Sequence, residues 1–149
     1  MTRKAVPTWF FAMVVVRLGR RFLVVRERDG RWYLPAGRVE HGEHIFTAAR
    51  RETLEESGLA VEVEGILRVE HTPSETAGRV RVWVVARPCD DALPKQEADK
   101  HSMEARWVTR EELEDLPLRD DEVRAVFDHV ARGGTVYPAS LLANEGAPW

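Results

Sequence analysis

The stretch RRETLEESG, residues 50–58, constrains this chain more than any other, because it sets three acids where a helix least favours them. The preceding residues make the helix plain: HIFTAARRETLEES, residues 44–57, holds neither proline nor glycine and is followed by Gly58, a usual left-handed stop. Unpaired carbonyls give a helix C-terminus roughly half a negative charge, so each acid there costs about 0.3–1 kcal/mol. Glu52 and Glu56 also lie one turn apart, a like-charged spacing that costs a further ~0.2–0.5 kcal/mol.

At about 100° per residue, Ile45, Ala48, Ala49, Glu52 and Glu56 share one stripe, with Glu55 at its edge. Small apolar residues turn that stripe toward the protein body, where an unpaired carboxylate is expensive. A divalent cation would resolve both costs, since a tight cluster of hard oxygen ligands suits magnesium or manganese. The competing reading is a solvated helix end in which Arg51 pairs with Glu55 at i,i+4.

At 149 residues the chain is read as one domain, 1–149. Its 44% hydrophobic and 32% charged composition is that of a soluble globular protein, and a formal charge of −3 offers no strong field for nucleic acid or membrane. A lone cysteine, Cys89, has no second cysteine for a disulfide or metal knuckle, which fits a reducing cytoplasm. The apolar run WFFAMVVV, residues 9–16, falls short of the ~20 residues that span a bilayer and reads as a core strand.

Valine-rich and aromatic segments predict strands at 9–18, 22–27, 32–34, 59–71, 79–87 and 105–108. Helices are predicted at 44–57 and about 120–131, with a short turn capped by Thr109 between the last strand and the second helix. That order predicts an α+β fold with helices on a mixed sheet. The tail from about residue 138, with Pro138, Gly146 and Pro148, is expected to be loosely held.

Reading back from the acids gives GRVEHGEHIFTAARRETLEESGL, residues 37–59. The segment resembles the signature of the Nudix hydrolases, G-x5-E-x7-R-E-U-x-E-E-x-G-U with U aliphatic. Gly37, Glu43, Arg51, Glu52, Glu55, Glu56 and Gly58 match its fixed positions, and Leu59 matches the last aliphatic one. Thr53 departs from the first aliphatic slot, and His41 stands where many members carry proline.

The resemblance implies an α/β/α sandwich with a mixed β-sheet, and metal-dependent hydrolysis of nucleoside diphosphate derivatives. It assigns the cation, Mg2+ or Mn2+, to Gly37, Glu52, Glu55 and Glu56, with one acid from a later segment; Glu97, Asp99 and Glu104 are the candidates, and Glu104 is the expected ligand. Glu56 is the expected general base and Glu52 the second choice. Glu43 either binds metal-bound water or favours the helix N-terminus, and Arg51 pairs with an acid rather than with substrate.

Substrate selection lies outside the signature. The flanking RWYLPAGRVEHGE resembles the branch that hydrolyses oxidised guanine nucleoside diphosphates of the 8-oxo-dGDP type to the monophosphate. Arg38, Trp32 and Phe11 are the expected substrate contacts, although strand aromatics also serve as core. Competing activities are an ADP-ribose, nucleotide-sugar or nucleoside triphosphate pyrophosphatase and an RNA 5′-end pyrophosphohydrolase; a non-catalytic nucleotide-sensing module is a different class. The expected partner is a small-molecule nucleotide, with no nucleic acid and no membrane, and with a homodimer left open.

Overall fold

β1 (Thr8–Leu18) is central because both its faces are apolar: Ala12, Val14 and Val16 enter one core, and Met13 and Val15 enter the other. A strand buried on both sides reads as a continuous apolar run. The computed structural model describes residues 3–149. β1 forms a hairpin with β2 (Arg21–Arg26) and pairs antiparallel with β4 (Ala36–Arg38). It runs parallel to β6 (Gly78–Pro88) from Thr8↔Gly78 to Val16↔Ala86.

β5 (Val61–Thr72) lies between β6 and β8 (Tyr137–Pro138), while β3 (Trp32–Tyr33) and β7 (Glu104–Val108) flank β2. The sheet is therefore mixed and has eight strands. α1 (Ile45–Ser57) covers one face through Ala48 and Ala49. α3 (Glu122–Ala131) covers the other through Val123, Phe127 and Val130, with Phe127 stacked on Phe22 at 4.4 Å between ring centroids. The expected α+β sandwich is the observed architecture.

Local chemistry fixes the ends of α1. His44 Nδ1 accepts from the Phe46 amide at the start, and Gly58, at φ 77°, donates its amide to the Leu54 carbonyl at the end. Thr53 is buried without penalty because its hydroxyl donates to the Ala49 carbonyl at 2.7 Å. An unpartnered hydroxyl there would cost about 1–3 kcal/mol. Thr109 caps the four-residue α2 (Arg110–Leu113) in a reciprocal capping box with Glu112.

β4 and β8 were not expected, since runs of three and two residues carry no periodicity of their own. The tail is more ordered than its proline and glycine suggest: Tyr137 and Pro138 pair with Ile66 and Gly65, a 3-10 turn follows at Ala139–Leu141, and Leu142 packs on the α1-side core. Among the described residues, no helix is long and apolar enough to cross a membrane.

Candidate active site

The site is built where β4 meets the C-terminal half of α1. Gly37 pairs with Ala12 of β1, and the Glu52 carboxyl lies so close above it that a Cβ at residue 37 would overlap the carboxyl carbon and both oxygens. Any larger residue here would have to push the end of the Glu52 side chain aside, a matter of space rather than backbone angle. Glu56 lies in the same stripe and shares a cavity wall with Ala36.

Glu52 and Glu56 lie one turn apart on the same stripe of α1, close enough for each charge to act on the other. Burial pushes Glu56 well above the ordinary carboxylate range, and the adjacent Glu52 charge adds to that; burial also raises Glu52, against the pull of Arg51. Two like-charged carboxyls placed this close resist ionising together.

Arg51 occupies the middle of the remaining acids. It grips Glu43 through Nε at 2.7 Å and Nη2 at 3.0 Å, reaches Glu52 at 2.8 Å and Glu55 at 3.3 Å, and donates to the Arg38 carbonyl at 3.0 Å. The i,i+4 pair with Glu55 exists, but the bidentate grip on Glu43 is tighter and holds that carboxyl below its usual range.

The unfavourable helix end is relieved by the irregular segment between β6 and β7. Lys95 Nζ donates to the Glu55 carbonyl at 2.7 Å and Ser102 Oγ to the Glu56 carbonyl at 2.5 Å, while the Lys95 amide caps Ser57. A cation at the helix C-terminus is the favourable sign. Asp99 holds Lys95 at 2.7 Å, and the Lys95 partner together with the His101 and Ser102 amides keeps its carboxyl depressed. Glu97 is exposed.

Glu104 and Trp32 face the α3 side of the sheet. Glu104 alternates along β7 with Ala105, whose side chain enters the α1-side core, so Glu104 emerges on the α3 side. There Arg26 at 3.2 Å and Arg106 at 2.5 Å take its two oxygens, and it does not join the acids of α1. Trp32 is 4% exposed within the α3-side core, with the Arg106 guanidinium 4.6 Å from its ring centre, so it does not present an open stacking wall. Phe11 is half-buried beneath Arg79 at 4.8 Å, and Arg38 is exposed with its guanidinium over Trp9 at 4.5 Å.

Among the described residues, no three His, Cys, Asp or Glu side chains are gathered tightly enough to hold an ion as they stand. Arg51 already pairs with Glu43, Glu52 and Glu55 there. The donor set nevertheless fits Mg2+ or Mn2+: it is all oxygen, from carboxyls one turn apart on one helix. A cavity of about 510 Å³ lies at the opposite end of α1 between Trp9, Phe10, His44 and Asn144. A smaller one of about 110 Å³ contains Glu56.

The family model described as NUDIX domain matches residues 9–129. The chain belongs to the NUDIX family. Human 8-oxo-dGDP phosphatase NUDT18 is 43% identical to this NUDIX chain over 123 residues, covering 78% of the chain and 37% of that protein. The chain spans about a third of the length of the NUDT18 relatives it matches. An RNA pyrophosphohydrolase of Novosphingobium aromaticivorans is 33% identical, covering 78% of this chain and 86% of that one. The solved NUDIX hydrolase from Nitrosomonas europaea superposes with a TM-score of 0.76 at 24% identity, covering 94% of this chain and 99% of that one, and so shares the fold.

Proposed function

We propose that this NUDIX chain hydrolyses a phosphoanhydride bond in a nucleoside diphosphate derivative, with Mg2+ or Mn2+, and that an oxidised guanine nucleoside diphosphate of the 8-oxo-dGDP type, yielding the monophosphate, is among its better substrates. The observation that carries the reaction class is the Glu52–Glu56 pair one turn apart on α1, with the Glu52 carboxyl set over Gly37. The choice of base is supported by likeness to the human 8-oxo-dGDP phosphatase NUDT18.

A bound divalent cation supplies neutralisation of the pyrophosphate oxygens. Glu52, Glu55 and Glu56 would hold it, with Glu52 kept in place by the close fit to Gly37 and by Arg51. Glu56 is the group suited to move a proton: its carboxyl is buried, its proton affinity is raised, and once deprotonated it takes a proton from the attacking water at a carboxylate oxygen. Arg51 is a positioning residue, fixing Glu43 and Glu52 by ion pairs.

The substrate is a small nucleotide and the compartment a reducing cytoplasm, the latter supported by the single, exposed Cys89. A second reading, an RNA 5′-end pyrophosphohydrolase, is favoured by the Novosphingobium relative's coverage along most of its length. The formal charge of −3 counts against a polyanionic substrate. Measuring kcat/KM over oxidised and normal guanine di- and triphosphates, ADP-ribose, nucleotide sugars and 5′-triphosphorylated RNA, with product masses, separates them. Preference for ADP-ribose or RNA would remove the oxidised-nucleotide choice and leave the hydrolase standing.

A further inference from the structure

Two of the acids on which the site depends, Glu55 and Glu56, stand in the last turn of α1, with Ser57 closing the helix. The last four carbonyls of a helix have no partner inside it, so its final turn frays unless something outside takes them. Here all four are taken. Gly58 donates its amide to the Leu54 carbonyl at 2.8 Å, Lys95 Nζ donates to Glu55 at 2.7 Å, Ser102 Oγ to Glu56 at 2.5 Å, and the Lys95 amide to Ser57 at 2.8 Å. Three of these donors come from the segment between β6 and β7.

Lys95 is wholly committed to this turn. Its ammonium has three protons, and they go to the Glu55 carbonyl, to Ser102 Oγ at 3.0 Å and to Asp99 at 2.7 Å, with the side chain 11% exposed. Ser102 is buried, joins Lys95 to Glu56, and lines the cavity that contains Glu56. The segment is itself tied down: the Lys95 carbonyl accepts from the Ala105 amide of β7, and the Met103 amide donates to the Arg26 carbonyl of β2, each at 2.9 Å. Lys95 takes the Glu55 carbonyl rather than its carboxyl, so the clasp occupies no oxygen that a cation would use. Burying an ammonium is costly, and Gly58 already supplies the turn that stops the helix. Ending α1 therefore calls for no second, charged clasp; what that clasp holds still is the turn that carries Glu55 and Glu56.

We propose that Lys95 and Ser102 are positioning residues of the hydrolase, holding the last turn of α1 by its carbonyls so that the Glu55 and Glu56 carboxyls keep a fixed place in the site. The inference rests on the hydrolase reading above and extends its machinery to a segment that the signature does not contain. Neither residue touches the reacting atoms; each acts through the backbone of an acid.

The test is steady-state turnover by the full chain at saturating Mg2+ or Mn2+, with the best wild-type substrate of the nucleotide panel above, at a temperature where circular dichroism shows every variant folded. A misplacement near 1 Å can cost about 10²-fold, so Ser102→Ala and Lys95→Met should each lower kcat by about tenfold while KM stays within about twofold. Lys100→Met, at an exposed lysine of the same segment, should change neither and so controls for charge. In a Glu56→Gln background, Ser102→Ala should cost no more than about a further twofold, because residues that act through one group are not additive. Ser102→Thr, which keeps the hydroxyl, should recover most of the kcat lost in Ser102→Ala. A merely structural clasp would lower the melting temperature and leave the kcat of the folded variants at the wild-type value. Should Lys95→Met fail to fold, the Ser102 variants decide. Wild-type kcat in folded Ser102→Ala, or a loss that multiplies with that of Glu56→Gln, overturns the inference and leaves the hydrolase reading intact; no cation-dependent turnover by wild type across the panel overturns both.

Discussion

The Glu52 carboxyl rests against the Cα of Gly37, leaving no room there for even a methyl group. Gly37→Ala is therefore expected to displace Glu52 without changing the backbone of β4. A displacement near 1 Å at a reacting centre can cost about 10²-fold, so kcat should fall by that order while far-ultraviolet circular dichroism stays native. Undiminished turnover would mean that Glu52 need not lie where the structure places it.

Arg51 pairs with Glu43, Glu52 and Glu55, and its own side chain is 22% exposed. Removing one partner of a buried pair costs about 3–5 kcal/mol, and partial exposure brings the expected loss for Arg51→Ala to about 1–3 kcal/mol in chelator. Mg2+ should recover part of that loss by replacing the missing positive charge. Paired urea denaturations with and without Mg2+ check this; a variant equally destabilised in both conditions would assign Arg51 a purely structural task.

On the other side of the sheet, Glu70 accepts from the Trp83 indole at 2.6 Å and from Arg81 Nε at 2.8 Å. Burial pushes its carboxyl up, but the Trp83 and Arg81 hydrogen bonds outweigh that and hold it below the usual range. A depressed folded value means the contribution is full above the ordinary carboxylate range and is lost as pH falls through the folded value. Glu70→Gln should accordingly flatten the acid limb of the stability curve. An unchanged slope of melting temperature against pH below the ordinary carboxylate range would count against it.

The signature made α1 and its acids legible because fixed spacing on a helix determines direction: Glu52, Glu55 and Glu56 had to project together wherever the helix was docked. Thr53 fits its unusual slot for a reason only the fold reveals, a hydroxyl returned to the Ala49 carbonyl. Strands gave less. The aromatic pattern around Trp32 is the same for a core residue and a stacking wall, and burial decided for the core. Glu104 takes its direction from β7, where one step exchanges the two faces of the sheet. Lys95 and Ser102 act through partners 40 and 46 positions away, on separate elements, and no local pattern announces such meetings.

Cation binding is expected to raise the melting temperature of the wild type, since a ligand held only by the folded state stabilises it by about 2.7 kcal/mol at a hundredfold excess over Kd. The rise should vanish in Glu52→Gln/Glu56→Gln. An equal shift in wild type and double variant, followed by differential scanning fluorimetry over a Mg2+ and Mn2+ titration, would locate the ion elsewhere.

The most direct measurement is the cation-dependent turnover of an 8-oxo-guanine nucleoside diphosphate by wild type and by folded Glu56→Gln, with products identified by mass. The expected result is monophosphate release that requires Mg2+ or Mn2+ and falls by about 10²-fold or more in Glu56→Gln, the range lost with a general base. Near-wild-type turnover in the folded variant, or release that persists undiminished in chelator, would contradict the account of Glu56 and its cation.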